Sequence, residues 1–149
     1  MREARRCEAR PREARQAVIR SAFRVLLVLW AGSLWSLAAW VAITIFHALH
    51  DARLAGSIAG RLFSIECYLG LATALIALAM PARRKLGGLY AAAALLACNE
   101  FVLKPFMQTA QARGAALGLS FGAWHGTSAL LYVIACLAVL LVIWKQDLR

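Results

Sequence analysis

The chain has 149 residues, of which 62% are apolar and only 16% charged, against roughly 45–50% and about 25% in soluble globular proteins. A chain this short has too little interior to hide that much apolar surface, which excludes a soluble enzyme, a collagenous chain and a disordered tail. The net charge of +10 says less than the places where the charges stand.

Residues 1–24 hold eight of the 17 Lys/Arg and three of the seven acids, a net +5. A basic segment of this kind in a soluble protein points to nucleic acid, but the arm's one aromatic is Phe23 and base-stacking chemistry is missing. Attraction to anionic lipid headgroups and a topology signal account for the arginines more simply, so no nucleic-acid partner is expected. Glu-Ala-Arg recurs at 3–5, 8–10 and 13–15, a spacing that fits neither a helix face nor a heptad. A solvated arm, partly helical or disordered, follows.

Val25–Phe46 is 22 residues without a charge, longer than the roughly 7–15-residue apolar core of a cleaved signal peptide. At about 1.5 Å per residue it crosses the roughly 30 Å hydrocarbon layer, predicting a retained helix over about residues 22–47. Leu62–Met80 carries only Glu66 and stops at Pro81, predicting a second helix over 62–80. Leu86–Leu103 carries only Glu100 and is broken by Pro105, predicting a third over 86–104. Gly114–Trp144 is free of charge and interrupted only by His125. It is longer than one crossing needs, so its first third is expected to run along the interface before a helix over about 117–144. No alternating pattern occurs, which excludes a barrel. The fold class is all-α: an integral membrane four-helix bundle over 25–145, between a basic arm (1–24) and a short tail (146–149).

Four crossings divide the Lys/Arg thirteen to four, with the arm, Arg83, Arg84, Lys85 and the tail on the richer side. The positive-inside rule then puts both termini in the cytoplasm of a bacterial inner membrane, with Trp144 as an interfacial anchor. Cys7 lies in the arm and Cys67, Cys98 and Cys136 within spans, with no Cys-x-x-Cys. They are expected to pack rather than bind zinc or cycle redox state.

Polar groups inside the spans are costly and mark function or internal pairing. In an antiparallel bundle Glu66 and Glu100 stand roughly 21 Å, and His125 roughly 28 Å, above the boundary nearer the termini. Glu66, Asn99, Glu100 and His125 therefore form the candidate polar cluster. Glu66, Glu100 and His125 would be its metal- or proton-handling members if they face one another. Structural pairing is the competing reading, since Glu100 and Lys104 are spaced i,i+4 and Arg61 can snorkel near Glu66. Gly114, Gly118, Gly122 and Gly126 recur every four residues, predicting a helix-packing groove. No pairing of nucleophile and base stands out, so catalysis is not expected.

The stretch Phe121-Gly-Ala-Trp-His125-Gly126-Thr-Ser128 resembles the last-helix motif of the domain-of-unknown-function family 4149, bacterial relatives of transmembrane protein 205. In that family an aromatic residue, His and Gly are followed shortly by Ser. Asn99-Glu-Phe-Val-Leu103-Lys-Pro105 resembles the family's third-helix ending, and Ala55-Gly56-Ser-Ile-Ala-Gly60-Arg-Leu62-Phe63 its entry into helix 2. The likeness covers roughly residues 25–145. It implies a four-helix membrane protein and little biochemistry. A more distant likeness, to four-helix copper-resistance D proteins and a haem-dependent protoporphyrinogen oxidase, would bring haem or a metal ion. Against it, the sequence lacks paired histidines deep within helices, His47 and His50 standing at a helix end.

Three functions are thus open. The first is a structural or accessory subunit of a membrane assembly, without a cofactor, in contact with the lipid bilayer and with copies of itself or a larger complex. The second is a small oligomeric cation or proton transporter using Glu66, Glu100 and His125. The third is a haem- or metal-binding protein centred on His125.

Overall fold

A computed structural model describes residues 2–80 and 86–147, with side chains described for 14–51, 53–80 and 86–145. Helix α1 (Arg2–Ser36) runs through a π-helical turn, Leu37–Val41, into α2 (Ala42–Ala48). Then come α3 (Ala52–Leu78) and α4 (Gly87–Cys98), which continues through a second π-helical turn, Asn99–Leu103, into α5 (Lys104–Arg113). Helix α6 (Phe121–Asp147) ends the described chain. Four stretches are long and apolar enough to cross a membrane: Ala14–Ala48, Arg53–Leu78, Gly87–Arg113 and Phe121–Lys145. They are called spans 1 to 4. The Arg83-Arg84-Lys85 segment and Arg149 lie outside the described residues.

The helices differ from the sequence expectation mainly at their starts and ends. The arm's backbone is helical and continuous with span 1. Helix α3 begins ten residues before position 62, because Asp51 accepts hydrogen bonds from Arg53 N–H (2.8 Å) and Leu54 N–H (3.2 Å). That cap satisfies donors the first helical turn would leave unpaired.

Pro105 does not end span 3. Proline cannot donate to its helix, and its ring collides with the carbonyl four residues back. The π-helical turn just before it, where Lys104 N–H reaches Asn99 O, widens the helix. The chain therefore continues to Arg113.

Span 4 begins at Phe121 rather than 117. Ahead of it, Ala116 and Leu119 exchange two backbone hydrogen bonds of 3.0 Å. The two residues between them, Leu117 and Gly118, both have positive φ (49° and 76°), as a mirror-image turn requires. Gly114, with φ 85°, terminates α5 in the left-handed conformation that favours glycine there. Trp124 donates its indole N–H to Ala116 O (3.0 Å) and stacks on Phe106 at 4.9 Å, holding this turn against α5 and α6. The stretch expected to lie along the interface is thus a capped turn.

The glycine groove needs correction for the same reason. Gly114 and Gly118 shape the turn and are not on the helix. Gly126 has no atom within 4 Å of an added Cβ, and Gly122 only Ser120 Oγ at 3.9 Å. Close helix approach instead occurs at Gly70, where a Cβ would meet Trp30 Cζ2 at 2.6 Å, and at Gly88, where it would meet Val142 Cγ2 at 2.7 Å.

These contacts build the core in the half of the bundle nearer the termini. Leu27, Leu34, Cys67, Leu89, Cys136 and Val139 are fully buried there. Across a membrane, where lipid tails are as apolar as leucine, such a half is held by tight packing rather than by escape from water. Only 28% of each span's most apolar window is buried within the bundle. The remainder is free to face lipid or a partner.

Candidate functional site

Three polar networks bridge the spans. Between spans 1 and 2, the Ser33 hydroxyl lies 2.8 Å from Trp30 O and 3.2 Å from Glu66 Oε2. Glu66 is buried at 7% exposure. Between spans 2 and 3, Lys104 Nζ donates to Ser64 Oγ (2.6 Å) and to Glu100 Oε1 (2.5 Å). The Ser64 hydroxyl lies 2.9 Å from both Glu100 Oε1 and Gly60 O. Between spans 3 and 4, Asn99 Nδ2 donates to Ser128 O (3.0 Å) while Ser128 Oγ donates to Asn99 Oδ1 (2.6 Å). Span 4 is tied to span 1 by Tyr132, whose hydroxyl donates to Leu34 O (3.2 Å).

The four residues of the candidate cluster therefore divide. Asn99, Glu100 and His125 line one cavity of about 1050 Å³; Glu66 does not. His125 is exposed and stacks on Phe121, with ring centroids 5.7 Å apart. Glu66 belongs to the Ser33 network and Glu100 to the Ser64–Lys104 network, with no shared partner. Among the described residues no three His, Cys, Asp or Glu side chains are placed to hold a metal ion. The expected Glu66–Glu100–His125 constellation is not assembled. Helix rotation decides this: two carboxylates at one depth can point into different interfaces.

Sequence reasoning missed Ser33, Ser64 and Tyr132 as members of these networks. Serine and tyrosine are common enough in apolar helices to carry no signal alone. A usable one was Ser64 standing two residues from Glu66, a helical offset that points it to another neighbour. The cavity itself was also missed. It is lined by all four spans and flanked by both π-helical turns, Ala38 coming from one and Asn99 with Glu100 from the other. Such widened turns recur at functional sites.

Residues 25–116 match the family described as Domain of unknown function (DUF4149), and the chain belongs to that family. The match takes in Glu66, Asn99, Glu100 and Lys104, while His125 and Ser128 lie beyond it. No curated protein and no solved structure matches the chain.

Proposed function

We propose that this DUF4149 member is a structural or accessory subunit of a membrane assembly in a bacterial inner membrane, with both termini in the cytoplasm. The observation that carries this reading is the separation of the two intramembrane carboxylates. Each is hydrogen-bonded to a serine of the neighbouring span, and Glu100 is neutralised by Lys104. Carboxylates that move a cation or proton across a bundle need to face a common path; these bind helix to helix. The haem or metal reading rests on one exposed imidazole stacked on a phenyl ring, and among the described residues no three His, Cys, Asp or Glu side chains are grouped to hold a metal ion.

The basic arm holds anionic headgroups, and the exposed apolar faces meet lipid and neighbouring subunits. Packing by Gly122 and Gly126 is then packing against another chain, because nothing within the bundle touches them closely. No catalysis is assigned. In liposomes loaded with a pH- or cation-sensitive dye, the purified chain should give the same leak as protein-free vesicles. Saturable flux that disappears in Glu100→Gln would replace this reading with the transporter.

A further inference from the structure

We propose that the cavity between the four spans binds a single-chain anionic amphiphile: one hydrocarbon chain ending in a carboxylate or phosphate. Its volume of about 1050 Å³ lies at the top of the roughly 300–1,000 Å³ range of small-molecule sites. Near the middle of the bundle its wall is apolar, from Phe63, Leu96, Tyr132 and Val133. The polar groups there, Asn99, Ser128 and Glu100, are engaged with one another or with Ser64 and Lys104. That part of the cavity offers a chain little but carbon.

Towards the end of the bundle away from the termini the lining changes character. Arg53, Arg61, Gln108 and Gln111 line it there, and Arg53, Gln108 and Gln111 also border an adjoining hollow of about 270 Å³. Lys104 is already paired with Glu100. Arg53 and Arg61 are exposed, and among the described residues neither guanidinium pairs with a carboxylate. Two cations at the polar end of an apolar slot select an anionic headgroup, since guanidinium matches carboxylate and phosphate geometry equally.

Glycine placement supports the same occupant. At Gly70 and Gly88 the missing Cβ lets helices touch, whereas at Gly60 a Cβ would meet nothing within 4 Å and at Gly56 only Phe46 Cζ at 4.0 Å. Both line the cavity. Glycine inside a helix is destabilising, and here the space it leaves is cavity volume rather than closer helix contact.

The full chain, purified in mild detergent, can be titrated by native mass spectrometry or tryptophan quenching with oleate, lysophosphatidate and monoolein, which share an acyl chain and differ in headgroup. Oleate or lysophosphatidate should bind saturably, at about one per chain, and monoolein at least about tenfold more weakly, the ratio expected for one charge-assisted contact. Arg53→Gln with Arg61→Gln should weaken the anion about tenfold or more, and Gly60→Leu, which fills the slot, should abolish binding. Both arginines are exposed, so the double variant should keep the parent's thermal midpoint and report on binding alone. Whichever anion binds tighter identifies the headgroup as carboxylate or phosphate, and either result supports the site. Equal binding of monoolein, or unchanged affinity in both the arginine and the Gly60 variants, would overturn it.

Discussion

Gly70→Leu should prevent recovery of a folded, monodisperse protein from detergent, and Gly70→Ala should lower its unfolding free energy by about 1–3 kcal/mol, the usual cost of overpacking a tight interior. The space a Cβ would need is already held by Trp30, which is 4% exposed, and by Leu96, at 2%. The nearest of these, the Trp30 ring at 2.6 Å, is rigid and packed in the core, so the ring as a whole must shift. Alanine's better helix propensity recovers only about 0.5–1 kcal/mol. Trp30→Phe, by shortening the ring, should restore much of what Gly70→Ala loses. Gly126→Ala serves as the control and should be neutral or stabilising by up to about 1 kcal/mol, since open space surrounds it. Thermal or denaturant unfolding in one detergent measures the recoverable variants, and size-exclusion yield reads Gly70→Leu. Equal behaviour of Gly70→Ala and Gly126→Ala would show that spans 1 and 2 do not meet as described.

Lys104→Met should cost more than Glu100→Gln, although each breaks the same ion pair. The Glu100 side chain is 13% exposed and that of Lys104 31%. Without the ammonium, a mostly buried carboxylate keeps only the Ser64 hydroxyl, at a cost of roughly 1–3 kcal/mol for an under-satisfied buried group. Without the carboxylate, Lys104 can extend its stem and carry its charge towards water. That loss is screened and should amount to about 0.2–1 kcal/mol. The same unfolding assay reads both, and the reverse order would mean that Lys104, not Glu100, is the buried partner.

The helical class and the number of spans could be read from the chain because they depend on local quantities: the length of apolar runs and the rarity of charge within them. Their ends depend on single caps and breakers, and there local reading failed in both directions. Asp51 lies eleven residues ahead of the apolar run that marks span 2, yet its carboxylate caps the helix start. Pro105 looked like a stop, yet the π-helical turn before it lets span 3 continue. The site was legible only as depth. Residue counts placed Glu66 and Glu100 at one level, but the direction each points depends on helix rotation, and the two meet different serines, Ser33 and Ser64. Spacing alone could not separate a helix-packing glycine stripe from a capped turn followed by an open helix face. Only the positive φ of Gly114 and Gly118 does that.

The central claim is that Glu66 and Glu100 act separately, each joining its own pair of helices. A double-mutant cycle between Glu66→Gln and Glu100→Gln, measured by unfolding of the full chain in detergent, tests it directly. The account predicts addition within about 0.5 kcal/mol for that pair, as for independent sites. Ser64→Ala with Glu100→Gln, which share a hydrogen bond, should instead couple by roughly 0.5–3 kcal/mol. Coupling of that size between the two glutamates would contradict it and place both carboxylates in one site.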